Sequence, residues 1–166
     1  INLGINLYAT QTEAEEDSFG KDYDEDAWME GMKVYDAQDL QAAIDNGKDV
    51  VLMNDIELAE SLVIPAAQTT KLSTKAADDG VIVIDLNGKT ITGSMHKNDG
   101  AIIKNTGSLV LKNGTVSSLG NNGGSALVNS GTATLENVTL NGAPNADGSW
   151  PSYTLNNTGV MTATNV

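Results

Sequence analysis

The sequence predicts an all-β fold, a parallel β-helix (β-solenoid) with a short capping helix and an extended acidic arm at its N-terminal end. Three observations carry that prediction. The first is a repeated tripeptide: Asn-Thr-Gly at 105–107, Asn-Ser-Gly at 129–131 and Asn-Thr-Gly at 157–159, with a second asparagine eight residues on, at Asn113, Asn137 and Asn165. The second is the spacing. The tripeptides start 24 and then 28 residues apart, and the slack falls in a stretch rich in Gly, Asn, Pro and Ser, the pattern of fixed strands joined by a variable loop. The third is a two-residue apolar period inside each unit, in Leu109-Val110-Leu111-Lys112 and Ala133-Thr134-Leu135-Glu136, which marks short strands.

A unit this short cannot close a core alone, so its apolar positions must stack on those of the next. Earlier segments read as degenerate copies. Residues 81–91 carry Leu86-Asn87-Gly88 with one residue inserted at the corner, and residues 51–58 match residues 135–140 in their apolar and Asn positions. About five coils are expected, beginning near residue 49. The corner asparagines are then Asn54, Asn87, Asn105, Asn113, Asn129, Asn137, Asn157 and Asn165. Asparagine tolerates the left-handed backbone of a sharp turn, and its amide can bond the asparagine one coil above. Their expected role is structural.

Residues 34–48 predict the cap. Asp36 is a helix N-cap with Asp39 three residues on; Leu40, Ala43 and Ile44 form one apolar face; Asn46-Gly47 is the stop. An amphipathic helix placed here would cover the exposed end of the first coil. The division expected is an arm at 1–33, capping strand and helix at 34–48, and coils at 49–166. Asn165-Val166 stand partway through a further coil, so that end is expected to be an open edge that is continued or covered.

The formal charge of −13 opposes a phosphate backbone and argues against a nucleic-acid partner. It is concentrated at one end. Residues 1–32 hold nine acidic side chains against one lysine, whereas four acids balance four lysines after Gly80. In the arm, Ile1, Leu3, Ile5 and Leu7 alternate with polar or small residues, giving an anchoring strand ahead of an acidic stretch. There is no cysteine, hence no disulfide framework, and no run of about 18 apolar residues that would span a membrane.

Chemistry is sparse. A pair of carboxylates for acid–base work would have to sit at equivalent positions of adjacent coils, and Asp85 aligns with Leu or Val in the later coils. His96 beside Asp99 reads as a solvated loop imidazole rather than a general base. Asp22, Asp24 and Asp26 open like a calcium loop, but Ala27 stands where glycine is needed and Lys33 where the final glutamate belongs. The Asn-x-Thr matches at Asn113, Asn137 and Asn156 fall on the repeating corners and are read as structural. Trp150, in the longest inter-coil loop, is the candidate glycan contact, with a loop anchor packed on the flank as the competing reading. No catalytic residue, metal site or cofactor is expected.

The order Val34, then the helix with Leu40 to Ile44, Val50-Val51-Leu52, Ile64 and Asp85-Leu86-Asn87-Gly88-Lys89-Thr90-Ile91 resembles the N-terminal part of the pectate-lyase-like right-handed β-helix superfamily, over residues 34–166. The resemblance implies a right-handed coil. That superfamily includes polysaccharide lyases and hydrolases, surface adhesins, and phage tailspikes and fibres, and the fold does not choose among them. Its lyases use an Arg or Lys base beside calcium-holding carboxylates, and all nine basic residues here are lysine. The expected function is a non-enzymatic structural or adhesive component of an extracellular assembly. A virion head fibre, decoration or spike protein is preferred, with a bacterial surface adhesin or filament subunit next. Its partners would be a protein scaffold held through the arm and a surface glycan. Resemblance to phage fibres implies a homo-oligomer. The alternative is a carbohydrate-cleaving β-helix enzyme whose active coils lie outside this segment.

Overall fold

The structure is a computed structural model that describes residues 31–66, 80–96, 100–146 and 153–166. Ile1, Leu3, Ile5 and Leu7, expected to anchor the arm, and Asp22, Asp24, Asp26, Asp99 and Trp150 lie outside the described residues. Within them the protein is strand-rich and all-β, built from parallel sheets with one short helix.

The chain enters through β1 (Met32–Val34) and α1 (Ala37–Asp45). Asp36 caps the helix, its Oδ1 accepting from the Asp39 N–H at 2.9 Å. Gly47, with φ of 65°, ends it: its N–H donates to the Ile44 carbonyl at 2.9 Å and that of Lys48 to Ala43 at 3.0 Å. This pairing satisfies the last helical carbonyls and needs a left-handed residue, which only glycine supplies without strain.

Four rows of strands follow. The first is β2 (Val50–Leu52), β3 (Ile56–Leu58) and β4 (Leu62–Ile64); the second is β5 (Val81–Asp85), β6 (Thr90–Gly93) and β7 (Ala101–Asn105). In the third, β8 (Ser108–Ser118) does the work of two strands before β9 (Ser125–Asn129), and in the fourth β10 (Thr132–Asn141) does so before β11 (Leu155–Asn157). β12 (Val160–Thr164) begins a fifth. All strand pairing is parallel: β1-β2-β5-β8-β10-β12 form one path of an eight-stranded sheet, β3 and β6 continue onto the second half of β8, and β11-β9-β7-β4 form a four-stranded sheet.

The registers repeat the sequence spacing. Ser108 pairs with Thr132 and Thr132 with Val160, while Asn105 pairs with Asn129 and Asn129 with Asn157. In-register stacking places Ile84, Leu111 and Leu135 in one buried column, Ile91 and Val116 in a second, and Ile64 and Leu127 within one core cluster drawn from both sheets. Each such Leu or Ile, fully buried, contributes roughly 1.5–3 kcal/mol.

The second row departs from the expected alignment. Two residues, rather than one, are inserted at its corner: Asp85 pairs with Lys112 and Thr90 with Thr115, leaving four residues against two. The first row is short, and two carboxylates complete its bonding. Asp49 Oδ1 accepts from the Val83 N–H at 2.9 Å and Asp55 Oδ1 from the Thr90 N–H at 2.8 Å.

Helix α1 packs against β1, β2, β3 and β4. Its buried Leu40, Ala43 and Ile44 join the core cluster, and Gln41 Oε1 accepts from the Val63 N–H of β4 at 3.5 Å. The helix therefore covers both the apolar end of the first row and a backbone donor at its edge. None of the described helices is long and apolar enough to cross a membrane.

Candidate functional site

Beyond the strand ladders and the stacked core, side-chain hydrogen bonds between rows run along two lines of asparagine. The inner line is Asn105, Asn129 and Asn157. Asn105 Nδ2 donates to Asn129 Oδ1 at 2.7 Å, and Asn129 Nδ2 to Asn157 Oδ1 at 2.7 Å. Asn105 and Asn129 are fully buried, and a buried amide must be satisfied. Each Nδ2 also donates to a carbonyl of the row above, Asn105 to Thr132 at 2.8 Å and Asn129 to Val160 at 3.0 Å. Because those carbonyls only accept, they fix which way every amide in the line points. Asn105 Oδ1 also accepts from the Gly107 N–H at 3.1 Å, closing the turn.

The outer line is Asn113, Asn137 and Asn165, all solvent-exposed. Their φ angles are 61°, 55° and 54°, the left-handed region that Asn enters more readily than other side chains. This single residue bends β8 and β10 without breaking them. Donation here runs down the rows: Asn165 to Asn137 at 2.9 Å, Asn137 to Asn113 at 3.4 Å, and Asn113 Nδ2 to Asp85 Oδ1 at 3.1 Å. A carboxylate can only accept, so Asp85 sets the direction of the whole outer line.

The corner asparagines are thus two kinds rather than one. Among the described residues the non-glycine residues with positive φ are Asn87, Asn113, Asn137 and Asn165; Asn105, Asn129 and Asn157 sit at strand ends and act through their amides. In the early rows neither line continues as asparagine on asparagine. Asn54 Nδ2 donates to the Tyr35 carbonyl and Asn87 Nδ2 to that of Leu52, both at 3.2 Å.

The other two positions of the tripeptide also have row-to-row partners. The hydroxyls of Thr106, Ser130 and Thr158 donate to the carbonyls of Ile64, Asn105 and Asn129 at 3.0, 3.3 and 3.4 Å. A Cβ on Gly107, Gly131 or Gly159 would collide with the carbonyl oxygen of Pro65, Gly107 or Gly131 respectively in the row below. Glycine is required there by close approach, a role that reading the corner from asparagine alone passes over. The repetition of glycine at the third position was its signal.

In the later rows Asp85 does not align with Leu or Val, although it pairs with Val51 in the first. It pairs with Lys112, which pairs with Glu136, and Lys112 Nζ lies 3.4 Å from Asp85 Oδ2. The outward column is acid, base, acid, which cancels charge rather than gathering two carboxylates about one bond. No group of three or more His, Cys, Asp or Glu residues that could hold a metal ion occurs among the described residues.

The loops that join the two sheets within each row, from β6 to β7, β8 to β9 and β10 to β11, gather along one edge. His96 bridges Gly123 and Asn122 bridges Asn145 in antiparallel fashion, the Gly123 N–H donates to Pro144 at 3.0 Å, and that of Ala146 to Asn121 at 3.2 Å. Variable loops stacked on one edge of a rigid scaffold are where recognition residues are usually carried. His96 is exposed on that edge. Comparison with protein-family models, with curated proteins and with solved structures finds no match to this chain in any of the three.

Proposed function

We propose that the chain is a right-handed parallel β-helix that serves as a non-enzymatic structural or adhesive component of an extracellular assembly, anchored through residues 1–33. A virion head fibre, decoration or spike protein is the preferred form, and a bacterial surface adhesin or filament subunit the second. The observation that carries this reading is the tripeptide, in which asparagine, hydroxyl and glycine each contact the neighbouring row. Sequence conserved from unit to unit is spent on row-to-row cohesion, as a stiff projecting rod needs, while variation is confined to the loop edge.

Polarity supports the same reading. Residue 31 leads into β1 at the end that α1 covers, so the arm, whose residues 1–32 carry nine acidic side chains against one lysine, joins the rod at its closed end. An acidic arm favours a scaffold surface of opposite sign. The loop edge is then the lateral surface for a glycan, with Trp150, which falls between β10 and β11 in the sequence, as the candidate contact.

Deleting residues 1–30 leaves β1 intact and tests the anchor. The truncated protein should keep its β-rich circular dichroism and lose incorporation into the native particle or filament. Incorporation at the full-length level would refute anchoring through the arm. In the intact assembly, crosslinks from Lys21 and Lys33 should reach a different, abundant polypeptide.

A further inference from the structure

Five Asn-Gly pairs occur in the chain, at Asn46, Asn87, Asn113, Asn122 and Asn141. Such pairs can rearrange without an enzyme, and what differs among these five is how each is held. We propose that Asn141-Gly142 is a self-modification site, at which the chain deamidates ahead of its other Asn-Gly pairs. This reading is independent of the function proposed above.

The reaction requires two freedoms. The side-chain amide must rotate so that its Cγ faces the following backbone nitrogen, and that nitrogen must lose its proton to base. The nitrogen then attacks Cγ, the bond to the side-chain nitrogen breaks, and ammonia leaves with the proton it takes up. One water opens the resulting cyclic imide at either carbonyl, giving aspartate or isoaspartate. Nothing is oxidised or reduced.

Four of the pairs lack one or both freedoms. Asn46 Nδ2 donates to Ala42 at 2.8 Å and the Gly47 N–H is bonded to Ile44. Asn87 Nδ2 donates to Leu52 at 3.2 Å, and the Gly88 N–H to Asn113 at 2.7 Å. Asn113 is held on both sides, by Asp85 and by Asn137. Asn122 has no side-chain hydrogen bond among the described residues, but the Gly123 N–H donates to Pro144 at 3.0 Å.

Asn141 differs from all of them. It is the last residue of β10 and exposed, and among the described residues its amide finds no hydrogen-bond partner and none engages the Gly142 N–H. The product matters because Gly142 packs closely on Thr154: a Cβ there would stand 2.7 Å from the Thr154 Cα. Isoaspartate adds a backbone atom at that junction and a negative charge, so the change would loosen the longest loop of the edge.

The test is incubation of the intact protein in mildly alkaline buffer, with peptide mapping by mass spectrometry for the mass gain and for isoaspartate. Asn141 should convert first, Asn122 next, and the three held residues roughly tenfold more slowly, the factor that one hydrogen bond adds to a barrier. A parallel sample in denaturant should convert at similar rates at all five. Conversion of Asn87 or Asn113 as fast as Asn141 in the folded protein would overturn the proposal, and so would a ranking that persists in denaturant.

Discussion

The two asparagine lines use the same residue for opposite reasons. On the inner line the backbone is ordinary and the amide is indispensable, since it is buried and bonds both the next asparagine and a carbonyl above. On the outer line the backbone is the demanding part, left-handed at each position, while the amides are exposed to water that could replace their partners. An asparagine repeat therefore cannot be read as one device. Substitutions that separate amide from backbone should affect the two lines differently.

The largest effect is expected beside the inner line rather than in it. In Gly131→Ala the new methyl group meets the Gly107 carbonyl oxygen and lies 2.8 Å from the Thr106 carbonyl carbon. Both obstacles are backbone and neither can rotate away. Forcing the rows apart should cost about 3 kcal/mol or more, seen as a large drop in the urea midpoint or as failure to fold. A midpoint within experimental error of the parent would show that the rows are not packed as described.

Asn129→Ala comes second. It removes the amide that receives from Asn105, donates to Asn157 and donates to the Val160 carbonyl, all around a fully buried position. Leaving buried partners unsatisfied should cost about 2–3 kcal/mol. Asn129→Gly should be no better, because no left-handed backbone is relieved there. If the glycine variant recovered stability, the inner line would be a backbone device like the outer one.

The outer line should show the reverse pattern. Asn137→Ala keeps φ near 55° without the side chain that tolerates it, at a cost of about 1–2 kcal/mol. Asn137→Gly accepts the angle and loses only exposed hydrogen bonds, so it should lie within about 0.5 kcal/mol of the parent. Urea titrations of the two variants side by side measure the difference directly, and equal losses would mean that the amide, not the angle, matters at this corner.

This contrast also marks how far the sequence could be read. Spacings of 24 and 28 residues between tripeptides are the registers of the last three rows, because both asparagine lines keep step with the strands there. The helix was legible for a similar reason: Asp36 and Gly47 act locally. The second row was not legible. Aligning Asn87 on Asn113 gives an offset of 26, whereas the strands pair at 27 before the corner and 25 after it. That half-step turned Asp85 from an outward partner of Lys112 into an apparent match for a core leucine. The glycine requirement arises from contact with the row below, so its trace in the sequence is not within a single unit but in the recurrence of glycine at the third position from unit to unit.

Lys112 offers the smallest and sharpest test of that corrected register. It sits between Asp85 and Glu136 in an outward column and lies 3.4 Å from Asp85, with about a third of its side chain exposed. An ion pair this open to water contributes about 0.5 kcal/mol or less, so Lys112→Ala should barely shift the urea midpoint at ordinary salt. Lys112→Glu is the informative variant, because it would stack three carboxylates in successive rows. Like charges directly opposite in neighbouring strands are destabilising, and the penalty should shrink as added salt screens them. Had Asp85 faced the core column instead, the new carboxylate would meet Glu136 alone, and adding Asp85→Asn to Lys112→Glu would recover none of the salt-sensitive loss.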